Sequence, residues 1–122
     1  MNVFEYALIR IVPRVERGEC LNAGVLVYCQ ELDYLGADVH VDEEKVLALD
    51  PSADIEAITT AVNALRTACA GTAGPASTMS PGDRFRWLTA PRSTVVQPGT
   101  VHSGLTEQPA AELARLFDEL VR

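Results

Sequence analysis

Six arginines in two groups, Arg10, Arg14 and Arg17 near one end of the chain and Arg84, Arg86 and Arg92 near the other, are the residues whose types and spacing best suit chemistry. A guanidinium is a planar fork of N–H donors that grips phosphate or carboxylate through two parallel bonds. Read as a strand, Arg84-Phe85-Arg86-Trp87 places both arginines on one face, because side chains alternate. Arg92 then falls in Pro91-Arg92-Ser93-Thr94, a turn whose hydroxyls and backbone amides could help to hold an anion. The candidate surface for an anion or a partner therefore comprises Arg10, Arg14, Arg17, Arg84, Arg86, Arg92, Ser93, Thr94 and His102. A plainer reading competes with it. Residues 31–56 carry nine acids and only Lys45, whereas residues 84–105 carry three arginines and no acid, so the basic strip can neutralise the acidic stretch within the fold or in a partner. Arg10 alternates with Tyr6, Leu8 and Val12 on one face of a strand, and there its charge must pair with a carboxylate such as Glu5, Glu16 or Glu19, or reach past the sheet edge.

The remaining chemistry is sparse. Cys20 and His102 are the one pair that could serve as thiol nucleophile and base, with no third residue in a pattern that would orient the imidazole. Cys29 and Cys69 lie on apolar runs and read as core. The G-x-S-x-G elbow and the G-x-x-x-x-G-K-[ST] phosphate loop are both missing. Asp38, His40 and Asp42 point one way from a strand, but residues two apart sit roughly 6.5 to 7 Å apart, so the two aspartates cannot share one ion without a kink. Phe85 and Trp87 read as core anchors rather than as a base-stacking platform. Neither a metal nor a cofactor is expected.

The elements that must position these groups follow from patterning. A chain of 122 residues, 48% hydrophobic, has the size of one ordinary domain. Its formal charge of −7 repels phosphate and so disfavours nucleic acid and anionic membrane as partners. Three cysteines without C-x-x-C spacing suggest reduced thiols in a bacterial-type cytoplasm, and no apolar run approaches the roughly 18 to 20 residues of a membrane span. Val3 to Val12 reads as a strand apolar on both faces, hence inside a sheet. Pro13 ends its pairing and a charged loop leads through Asn22 to a second strand, Val25 to Cys29. Turn residues Asp33 to Gly36 precede a third, Ala37 to Val41. Asp42 to Leu49 could form a short helical turn. The main helix is read over Pro51 to Ala70, capped by Asp50, with Ile55, Ile58, Val62, Leu65 and Cys69 as its stripe and Gly71 as its terminator. Residues 71–83 read as a mobile connector. Pro91 to Gln97 and Thr100 to Gly104 are read as extended, and Pro109 to Val121 as a closing helix with Leu113, Leu116, Phe117 and Leu120 inward. The sum is a single α+β domain: a mostly antiparallel mixed sheet with two main helices packed on it.

The run Tyr6-Ala7-Leu8-Ile9-Arg10-Ile11-Val12-Pro13-Arg14-Val15-Glu16-Arg17-Gly18-Glu19, followed by Leu21-Asn22-Ala23-Gly24-Val25, resembles the opening of the bacterial domain of unknown function 3037. Phe85-Arg86-Trp87-Leu88-Thr89-Ala90-Pro91-Arg92-Ser93-Thr94 resembles a later part of the same family. The family has no established activity, so the resemblance carries over no catalytic residue. It implies a partner, since relatives are often encoded beside a kinase-like protein similar to HipA. The expectation is a small cytosolic, non-enzymatic accessory or regulatory protein that binds another protein, possibly a HipA-like kinase. The alternative is an anion-binding module or enzyme that grips a phosphate or carboxylate through the arginine cluster.

Overall fold

The strand that is apolar on both faces, β1 (Asn2–Ile11), lies between neighbours on both sides in the computed structural model, which describes residues 1–122 except Ala73. On one side β2 (Leu21–Cys29) and then β3 (Tyr34–Val39) continue an antiparallel meander. On the other side, β4 (Val96–Pro98) pairs with Ile9–Ile11 and β5 (His102–Thr106) with Asn2–Tyr6, so one edge is built from two short strands broken at Pro98-Gly99. Every pairing is antiparallel.

Helices cover both faces of this sheet along most of β1, which is why the strand carries no polar face; Val3, near its start, stays exposed. α4 (Pro109–Leu120) brings Leu116 and Phe117 onto Phe4, Val25, Val27 and Cys29. On the opposite face α2 (Ile55–Ala70) and α3 (Pro81–Leu88) bring Cys69, Phe85 and Leu88 onto Ile9 and Leu26. α1 (Glu43–Leu49) adds Val46 to a third cluster with Ile11, Ala23, Ile58 and Val62. A bulge between Ile9 and Arg10 leaves Ala23 without a partner on β1, while its carbonyl accepts from His40 N–H at 2.8 Å on the other side. Next to it a Cβ on Gly24 would stand 2.8 Å from the Asp38 carbonyl oxygen, so only glycine lets β3 approach so closely.

Several expectations need correction: the third strand runs over Tyr34–Val39 rather than Ala37 to Val41, so Tyr34 to Gly36 are strand and not turn residues, and Trp87 is 41% exposed rather than a core anchor. The main helix does not begin at Pro51. Asp50 closes α1 by donating its backbone N–H to Val46, and its side chain accepts from both the backbone N–H and the hydroxyl of Ser52; Asp54 caps α2 by accepting from Ala57 N–H at 3.0 Å. Two acidic caps four residues apart thus outweigh the proline signal between them. Within the stretch 71–83, Pro75–Thr78 forms a 3₁₀ turn with Ala76 buried and Pro81 opens α3; Ala73 lies outside the described residues. Arg84-Phe85-Arg86-Trp87 is helical rather than extended. Ser80 accepts from Asp83 N–H at 3.2 Å and Pro81 takes the first helical position, a start signal that four alternating residues cannot override. Gly71, with φ of 70°, ends α2 as expected. No helix among the described residues is long and apolar enough to cross a membrane.

Candidate functional site

The fold gives the six arginines separate tasks. Arg14 pairs with Glu16 at 3.0 Å and Arg17 with Glu19 at 3.0 Å, both within the exposed loop between β1 and β2. Arg86 reaches from α3 to Glu5 on β1 through two bonds of 2.8 and 2.6 Å, and the carboxylate raises the guanidinium above its ordinary pKa. Glu5 and Ile11 are six residues apart on β1, about 20 Å at strand rise, so Arg86 and the Arg14–Arg17 loop sit at opposite ends of that strand. Arg84 donates to the carbonyl oxygens of Cys69 at 3.0 Å and Met79 at 3.4 Å, tying the end of α2 to the start of α3. Arg92 donates to Trp87 carbonyl at 2.8 Å and lies over the Trp87 ring. The Arg10 side chain forms no ion pair or hydrogen bond with a described residue, and its buried Nε, like that of Arg84, has no partner. Its guanidinium rests against Gly99, where an added Cβ would meet Cζ at 3.2 Å.

The other candidates are similarly dispersed. Thr94 donates its hydroxyl to Val96 carbonyl at 2.7 Å, and Ser93 is exposed in the segment before β4. His102 opens β5 and packs against Tyr6, with ring centroids 5.3 Å apart. Cys20 does not share its neighbourhood: Leu21, the next residue, pairs with Ile11, whereas His102 pairs with Tyr6, about 16 Å along the same strand. Among the described residues no group of three or more His, Cys, Asp or Glu is placed to hold a metal.

The thiols differ sharply. Cys20 is exposed while Cys29 and Cys69 are buried, and burial pushes the Cys69 pKa up to about 11, against the opposing pull of Arg84. Only the thiolate reacts. A chromogenic disulfide reagent at pH 8 is therefore expected to modify Cys20 alone in the native protein and all three cysteines in denaturant. Rapid native modification of a second cysteine would contradict this packing.

One surface was not among the sequence-derived candidates. Val3 and Leu105 are cross-strand partners on β1 and β5, and both face solvent, 55% and 60% exposed. Phe4 and Tyr6, pointing to the other face, pack in the α4 cluster, while Glu5 beside Val3 engages Arg86. Among the described residues β5 pairs with β1 alone, and none pairs with its outer edge. The apolar neighbours of Val3 place it in a covered strand; the contrary signal in the sequence is Leu105, an isolated large apolar residue between Gly104 and Thr106.

The architecture is that of an α+β domain whose antiparallel sheet carries helices on both faces but leaves the Val3–Leu105 corner exposed. The chain belongs to the family described as Protein of unknown function (DUF3037), whose profile matches residues 6–121. Neither the curated proteins nor the solved structures searched contain a match to it.

Proposed function

We propose that this chain is a small, non-enzymatic accessory or regulatory protein of the bacterial cytoplasm that works by binding another protein. The observation that carries the reading is the exposed Val3–Leu105 pair beside an unpaired sheet edge. Exposed apolar surface next to free backbone donors and acceptors is costly to leave in water and suits a docking site. A HipA-like kinase is the partner suggested by family context. Reduced cysteines fit the cytoplasmic assignment.

The rival reading, an anion-gripping module or enzyme, draws its support from Arg10, whose buried Nε lacks a partner. The other five candidate arginines are engaged by carboxylates or carbonyls in separate places. Two experiments divide these readings. In a gentle, low-salt extract of the native cell, the protein is expected to elute well above its own 13.2 kDa, and the Leu105→Asp variant near it. Elution of the wild type at monomer mass would count against protein binding. A thermal-stability panel of nucleotides and phosphorylated metabolites is expected to give no shift, whereas a ligand at a hundredfold its dissociation constant would add about 2.7 kcal/mol and favour the rival.

A further inference from the structure

β5 offers more than an apolar spot. It runs for five residues, His102–Thr106, contains neither lysine nor proline, and has no described neighbour on its outer side. Proteins commonly blunt such an edge with charge, proline or a covering element. Here α4, the helix that directly follows, lies over β2 and β3 instead and leaves the edge free. The two sides of the edge differ chemically. On one side stand Val3 and Leu105. On the other, a groove of about 410 Å³ separates β5 from α4; Phe4, Leu116 and Leu120 line it beside Glu112, Arg115 and Glu119, and Leu105 reaches its rim. Arg115 bonds to Glu112 at 2.8 Å and to Glu119 at 3.2 Å, so one cation faces two carboxylates and the wall keeps a net charge of −1.

Resting on the protein-binding reading above, we infer that β5 accepts an extended segment of the partner as a sixth strand, one in which apolar and basic residues alternate. Backbone pairing along the edge supplies affinity, and alternate side chains supply specificity. Side chains of a strand point to opposite faces with period two, so apolar residues of such a segment lie on Val3 and Leu105 while its lysines or arginines face Glu112 and Glu119. Charge argues against a second copy as the occupant. Two chains of −7 paired through β5 about a twofold axis normal to the sheet would bring both acidic α4 walls to the same face.

The test uses the intact protein with three synthetic probes: an acetylated Lys-Val-Lys-Val-Lys-Val-Lys peptide, its Glu-Val counterpart, and the Lys-Val peptide N-methylated at every second amide, in either phase. The Lys-Val peptide is expected to bind and to slow hydrogen exchange at residues 102–106. The Glu-Val peptide, and the methylated probe in the phase that faces β5, are expected to bind about tenfold more weakly or worse. Leu105→Asp with Glu119→Lys, both at exposed sites, is expected to abolish Lys-Val binding while lowering the melting temperature by no more than about a few degrees, the loss of the Arg115–Glu119 pair being small. Equal binding of all probes, protection elsewhere than β5, or an unaffected double variant overturns the inference. So does a purified wild type that sediments at twice the monomer mass and becomes monomeric on Leu105→Asp, which would assign the edge to a second copy. If a protein captured by the wild type from native cells is captured equally by the double variant, the strand inference falls and the protein-binding reading stands. If the wild type captures nothing and no probe binds, both fall.

Discussion

Phe85→Ala is expected to lower stability by about 3 to 5 kcal/mol, while Trp87→Ala, two residues on, costs far less. Phe85 is fully buried, stacks on Tyr28 with centroids 5.3 Å apart, and shares a cluster with Ile9, Leu26, Cys69 and Leu88. Trp87 is 41% exposed, with Arg92 over its ring. The contrast distinguishes α3 from a strand, because a strand would put Phe85 and Trp87 on the same face whereas a helix turns them about 200° apart. Urea denaturation of both variants measures it. Equal losses would contradict the helical placement.

The second large effect is a coupling at the junction of α2 and α3. Gly71 holds φ of 70°, and a Cβ there would run into the Arg84 guanidinium that donates to Cys69 carbonyl. Gly71→Ala is expected to cost about 1 to 2 kcal/mol for the left-handed backbone, and more because Arg84 is pushed off the α2 terminus. Arg84→Ala removes a charged donor from carbonyls at the helix end, worth about 1.5 to 3 kcal/mol. Once Arg84 is gone, the alanine at 71 has nothing to displace. The double variant is therefore expected to lose less than the sum of the two, by about 0.5 kcal/mol or more. Strict additivity in a double-mutant cycle would show that Arg84 does not rest on Gly71.

Much of this architecture was legible because single residues state it. β1 announces a covered strand by being apolar at both odd and even positions, and the α4 and α2 clusters on its two faces answer that pattern. Gly71 marks the end of α2, and Pro109 the start of α4. The errors arose where two local signals compete over a few residues. Between residues 50 and 54, Pro51 suggests a helix start, but Asp50 is occupied by Ser52 and the cap passes to Asp54. From Arg84 to Trp87 four alternating residues satisfy a strand period, and the decisive information lies upstream at Ser80 and Pro81.

The candidate site was less legible, for a physical reason. Arginine attracts attention as an anion receptor, yet its partner depends on tertiary placement: Glu5 is eighty-one residues from Arg86 in the chain, and the carbonyls that hold Arg84 and Arg92 have no sequence signature. An open edge is equally invisible, since it consists of a neighbour that is not there. Only Leu105 and its cross-strand position opposite Val3 mark it.

Capture of partners from native cells by two tagged variants tests the central claim most directly, namely that the β5 edge rather than the arginines is the working surface. Leu105→Asp is expected to lose a protein that the wild type retains stoichiometrically, and a combined Arg14→Ala, Arg17→Ala and Arg92→Ala variant is expected to keep it. Retention by Leu105→Asp together with loss on the arginine substitutions would contradict the account.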